Sequence, residues 1–123
     1  MNLGDAGRYF GIILIIPGFL LMQIAEKYLG KQFSIEVSIQ EDHKLIQTGP
    51  YSLIRHPRYL GIVLFFIGFS FIFQSLIAIC LVVALSFVLI WRIFTEEALM
   101  RQKFGEEWDE YCKKTWRICP FVF

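Results

Sequence analysis

The chain reads as an all-α integral membrane protein: a kinked N-terminal membrane helix, a tight helical hairpin and an amphipathic C-terminal cytoplasmic helix. Three observations predict this. Hydrophobic residues make up 56% of the 123 and charged residues 19%, too apolar a balance for a soluble domain of this size. Two apolar runs, Tyr9–Ala25 and Leu60–Trp91, are free of charge. Lysine and arginine crowd the segments on either side of the second run, whereas Arg8 alone precedes the first.

The first run, YFGIILIIPGFLLMQIA, is about the length of a single span, with Pro17–Gly18 at its middle predicting a kink. A signal peptide is the competing reading. The length of the run, Asp5 close to Arg8, and the lack of a small-x-small cleavage site favour a retained helix. The second run is awkward: one span needs roughly 20 residues and two spans with a turn need over 40. It is either one very long helix or two short helices in a tight hairpin. Lys27, Lys31, Lys44, Arg55 and Arg58 precede it; Arg92, Arg101, Lys103, Lys113, Lys114 and Arg117 follow it. The positive-inside rule places both flanks in the cytoplasm, and a hairpin returns the chain to the side it left. The hairpin is therefore preferred, breaking near Gln74–Ser75, although no Gly, Pro or Asn marks the turn. The N-terminus is then outside. The expected membrane helices cover about 9–28, 58–73 and 76–95 of one domain, with a cytoplasmic connector at 30–57 and a cytoplasmic C-terminal segment at 96–123.

In the connector, FSIEVSI alternates as a short extended piece would. After the hairpin, Met100, Phe104, Trp108 and Cys112 fall at four-residue steps on one helical face, with Gly105 a candidate break. Cys80, Cys112 and Cys119 show no zinc spacing, so no metal is expected, and their odd number suits free thiols on a reducing side. The net charge of +1 names no partner, and no nucleic acid is expected.

The stretch TGPYSLIRHPRYLG holds the densest chemistry. Gly49–Pro50 signals a turn, and Pro57 suits the first position of a helix, leaving His56 extended at its entrance. Unpaired N–H groups there attract anions, and Arg55 and Arg58 add to the effect. Tyr51 and Tyr59 offer aromatic faces to a flat ring or a cation. An interfacial anchor accounts for Arg and Tyr equally well. Arg92, Glu96 and Glu97 form a second constellation just beyond the last membrane helix, with Arg92 and Glu96 four apart on one helix face. They could form an ordinary surface ion pair, but a hairpin would bring Glu96 beside His56.

HKLIQTGPYSLIRHPRYLG followed by WRIFTEEALMRQKFGEEWDEYCKKTWRICP resembles the isoprenylcysteine carboxyl methyltransferases and related membrane phospholipid methyltransferases, from about His43 to Pro120. The resemblance implies an S-adenosylmethionine-dependent membrane methyltransferase of helical, non-Rossmann fold. It also implies cofactor contacts at His43, Lys44, Leu45, Ile46, Tyr51, His56, Pro57, Arg58, Tyr59 and Glu96, with Arg92 facing a lipophilic or lipid acceptor. Arg58 falls at a variable position, so its backbone is what matters. The chain is short for this family, and a homodimer could supply missing walls. Rival readings are an NADPH-dependent membrane reductase of the sterol reductase type and a non-catalytic membrane interaction protein.

Overall fold

The computed structural model describes residues 2–29 and 45–123. Four α-helices follow in order: α1 (Gly4–Leu29), α2 (Pro57–Phe73), α3 (Leu76–Phe104) and α4 (Glu106–Lys114). A 3₁₀ turn at Gly49–Ser52 leads into α2. No strand occurs among the described residues; a single bridge pairs Ile54 with Trp116. The FSIEVSI piece lies outside the described residues.

α1 and α3 are long and apolar enough to cross a membrane, and α2 is apolar but shorter, with 17 residues. Their surfaces invert the rule for soluble proteins. Ile13, Phe19, Ile77, Phe87 and Trp91 point outward, while Gly7, Gly11, Gly18 and Ala25 are the buried positions of α1. That is the pattern of a membrane protein, where lipid solvates large apolar side chains and helices associate through small ones.

α1 stays helical through Pro17 and packs antiparallel along α2. The seam is built from two glycine pairs, Gly11 with Gly68 and Gly18 with Gly61, seven residues apart on each helix. A Cβ on Gly68 would stand 2.5 Å from the Gly11 carbonyl oxygen, and one on Gly61 would stand 2.7 Å from that of Gly18. Backbone therefore meets backbone at two points, a close approach that any side chain would forbid.

The apolar run of 60–91 does split into a hairpin. α2 ends at Phe73, Gln74 turns in the left-handed region (φ 48, ψ 45), and Ser75 caps α3 by accepting a hydrogen bond from the Ala78 amide at 3.1 Å. The left-handed conformation disfavours a residue with a Cβ by about 1–2 kcal/mol. Contacts to the chain start offset this: the Gln74 amide nitrogen donates to the Gly4 carbonyl (2.7 Å) and its oxygen accepts from the Leu3 amide (2.6 Å). A side chain thus does here what a turn-type residue does elsewhere, which is why the sequence shows no turn signal.

α3 continues past residue 95 to Phe104, presenting Val82, Leu89, Ile93 and Glu97 inward. The expected single face through Met100, Phe104, Trp108 and Cys112 is not continuous. Gly105 (φ 58) ends α3 and redirects the chain, so that α4 buries Trp108 and Tyr111 instead of Trp108 and Cys112. α4 carries Glu106, Glu107 and Asp109 in its first turn and Lys113 and Lys114 in its last, matching the helix dipole at both ends.

Candidate functional site

The polar end of the hairpin gathers the segment before α2, the end of the apolar part of α3, and the residues after α4. Residues 115–117 return to lie along 53–56. The Arg55 amide donates to the Trp116 carbonyl (2.7 Å), the His56 amide to that of Arg117 (2.9 Å), and the Trp116 amide to that of Leu53 (3.0 Å). Pro57 opens α2 as expected, but His56 at the N-cap has φ −128 and ψ 59 instead of the expected extended backbone, because it is held by its amide hydrogen bond to Arg117 and its ring contacts. The first amides of a helix start such as this one point away from the intrahelical ladder.

Two adjacent carboxylates divide the cationic groups between them. The Glu97 side chain is 6% exposed and receives three partners: His56 Nε2 at 2.9 Å, Arg117 Nε at 3.3 Å and Arg55 Nε at 3.5 Å. An ionised carboxylate can only accept, so Nε2 of His56 carries a proton. The Glu96 side chain is 23% exposed. It accepts a short hydrogen bond from the Tyr59 hydroxyl (2.5 Å), with Arg92 at 3.6 Å and His56 Nδ1 at 3.8 Å. The His56 ring stacks on that of Tyr59, centroids 5.6 Å apart. His56 and Tyr59 therefore bridge the hairpin to both carboxylates.

A second tier braces this cluster. Arg55 donates to the carbonyls of Thr115 (2.9 Å) and Cys112 (3.2 Å). Arg58 pairs with Glu26 of α1 at 3.3 Å. The Tyr111 hydroxyl donates to the Tyr51 carbonyl (2.7 Å), and the Tyr51 hydroxyl to that of Ala25 (3.3 Å). Burial pushes the Tyr51 phenol up to about 12 and that of Tyr111 higher still, so both stay protonated donors.

Of the residues singled out from the sequence, His56, Tyr59, Arg92 and Glu96 stand together at the mouth of the hairpin, with Pro57 at the helix start. Tyr51 and Arg58 lie toward α1. Leu45 and Ile46 are half-buried and outside any helix, and His43 and Lys44 lie outside the described residues. Glu97, Arg55, Arg117 and Thr115 also form part of the cluster: the sequence groups Glu97 with Arg92 and Glu96 and places Arg55 at the anion-attracting helix entrance, but neither is expected among the cofactor contacts, and Arg117 and Thr115 are not picked out as site residues. A register signal for Glu97 was present: it follows Leu89 and Ile93 at four-residue steps, so a carboxylate occupies the buried face and has to be met by cations.

Chemically, Glu97 is consumed by its neighbours, whereas Glu96 is partly exposed beside a phenol, an imidazole and a guanidinium. A ligand's cationic group can meet Glu96, its carboxylate the α2 start or Arg92, and its flat ring the tyrosines. That donor set suits an amino acid-like, cationic, ring-bearing cofactor.

Residues 3–107 match the phospholipid methyltransferase family. The chain is 33% identical over 121 residues to the probable protein-S-isoprenylcysteine O-methyltransferase of Oryza sativa subsp. indica, covering 93% of this chain and 61% of that protein. It is 32% identical over 121 residues to protein-S-isoprenylcysteine O-methyltransferase B of Arabidopsis thaliana, covering 92% and 59%. The chain thus spans about three fifths of the length of these curated relatives. A Delta(14)-sterol reductase of Mus musculus is 31% identical over 83 residues, covering 65% of this chain and 20% of that enzyme.

Proposed function

Because the chain belongs to the phospholipid methyltransferase family, we propose that it is an integral membrane methyltransferase using S-adenosylmethionine and acting on a lipophilic acceptor. The acceptor class is the carboxylate of a prenylcysteine-like or other lipophilic acid, or a lipid headgroup. The observation that carries this reading is the partly exposed Glu96, held by Tyr59 and Arg92 where the membrane hairpin meets the RHP turn. The names of the rice and Arabidopsis relatives support transfer to oxygen.

S-adenosylmethionine, when bound, supplies the electrophilic methyl group on a cationic sulfonium. Glu96 pairs the cofactor's amino group, the start of α2 receives its carboxylate, and Tyr59 covers it. Arg92 holds and orients the acceptor. A carboxylate acceptor is already ionised at neutral pH and requires no base, so the chain's contribution is positioning and exclusion of water. Arg92 and Glu96 already face each other, so each ligand arrives at a pair that must open. Cofactor and acceptor binding are thereby coupled. The lysines and arginines on both sides of the hairpin support a site facing the cytoplasm, with the N-terminus across the membrane.

Calorimetry of the purified chain tests the reading. S-adenosylmethionine should bind and NADPH should not; the reverse result would support a sterol reductase-like activity. Glu96→Gln should weaken cofactor binding by about 1.5–3 kcal/mol, the worth of a hydrogen bond to a charged group. Arg92→Ala should abolish turnover in a lipid-extract methylation assay while keeping most of the cofactor affinity.

A further inference from the structure

We propose that residues 118–123 form a hook that inserts into the membrane, its partner being the lipid at the polar–apolar boundary of the bilayer. The hook is a closed backbone turn. The Cys119 carbonyl accepts from the amides of Val122 (3.1 Å) and Phe123 (3.0 Å), and the Phe123 carbonyl accepts from those of Ile118 (2.9 Å) and Cys119 (3.2 Å). Phe121 stands at its tip with φ 67. The turn holds Phe121 and Val122 outward, 84% and 77% exposed.

Its depth follows from what it touches. Ile118 packs against Tyr59, Leu89 and Ile93, and Leu89 belongs to the charge-free run of α3. The Arg117 guanidinium lies between the rings of Phe94 (5.0 Å) and Phe123 (5.2 Å). A hydrocarbon core of about 30 Å corresponds to about 20 helical residues at about 1.5 Å each. Measured from the turn at Ser75, it reaches about residue 95, so the side chains gripping the hook lie at the edge of the apolar slab. On α3, Phe87, Trp91 and Phe94 are exposed as well, and Phe94 shares the Arg117 guanidinium with Phe123 of the hook. Trp116, with its ring 5.8 Å from that of Phe121, is a side chain suited to this boundary. The hook lies beyond the residues that match the family, and the inference does not depend on the reaction.

Spin labelling in phosphatidylcholine bilayers tests it. A label is placed at Val122→Cys in a chain carrying Cys80→Ser, Cys112→Ser and Cys119→Ser, with Phe87→Cys and Lys114→Cys labelled as lipid and water references. The label at 122 should collide several-fold more often with oxygen than with a water-soluble nickel chelate, as at 87. Nickel preference like that at 114 would overturn the proposal. Shielding from both reagents would also overturn it, and would assign the tip to a second copy of the chain or another protein.

Discussion

The two helix pairs of this molecule are held in opposite ways. α1 and α2 touch along their length, with glycine backbones pressed together at two levels. α2 and α3, joined by two residues, approach less closely and meet through side chains, with Tyr59, Ile62 and Val63 of α2 packing in one cluster with Leu85, Leu89 and Ile93 of α3. Between them lies a cleft of about 240 Å³ lined by Phe66, Phe69, Ser70, Ala78, Leu81, Val82 and Leu85. The Gln74 contacts tie the turn to the chain start, and the His56–Glu97 cluster joins the polar end of the pair. A continuous seam makes a rigid frame. A pair joined through side chains beside an open cleft relies more on the polar cluster at its end, whereas the seam spreads its contacts along both helices.

Breaking the charged fastening should have the largest effect. Glu97→Ala leaves the buried Arg55 guanidinium and the buried His56 ring without their carboxylate, beside the half-exposed Arg117, and loss of one partner from a buried ion pair costs about 3–5 kcal/mol. Thermal unfolding in detergent should show the loss, and Glu97→Gln, which keeps the shape, should recover part of it. The seam comes next. Gly68→Ala forces a methyl against the Gly11 carbonyl and should cost about 1–3 kcal/mol, as overpacking does elsewhere; an unchanged midpoint would show that the seam is not rigid.

Gln74→Ala removes two hydrogen bonds to the chain start and should cost about 1–3 kcal/mol at about 0.5–1.5 each. Gln74→Gly sharpens the result, because it removes the same bonds while relieving the left-handed backbone. It should be the milder of the two. Smallest of all, Ala78→Val adds volume to the open cleft and should stay within about 0.5 kcal/mol, the range of a change that meets no packed neighbour. A loss as large as that of Gly68→Ala would erase the distinction between the two pairs.

The hairpin was legible because charge constrains topology: a neutral run too short for two ordinary spans, flanked by cations on both sides, has few ways to lie in a membrane. The RHP segment was legible at Pro57, which opens α2 as its fixed φ favours, but not at His56, whose backbone (φ −128, ψ 59) is not the extended one expected. The glycine seam was harder to see. Gly11, Gly18, Gly61 and Gly68 have matching spacings, but that spacing acquires meaning only once the two helices are known to run antiparallel. Gln74 was illegible for a similar reason, since its function is to reach Leu3 and Gly4 across the fold. The site was half visible. Glu96 could be placed by its spacing from Arg92, whereas Arg117 and Thr115 join the cluster through a return of the chain that local periodicity does not encode.

That return has a consequence for the order in which the molecule is made. The bridge between Ile54 and Trp116 closes a loop containing the whole hairpin. Domains begin folding from the N-terminal side as the chain emerges from the ribosome, at about 5–20 residues per second. α1, α2 and α3 can meet in the bilayer while the end of the chain is still being synthesised. His56 and Arg55 obtain their backbone partners only when Trp116 and Arg117 arrive. Assembly of the chemistry is thus deferred until the membrane frame is in place, and a nascent chain stalled before residue 115 would be inserted but unable to organise its binding residues.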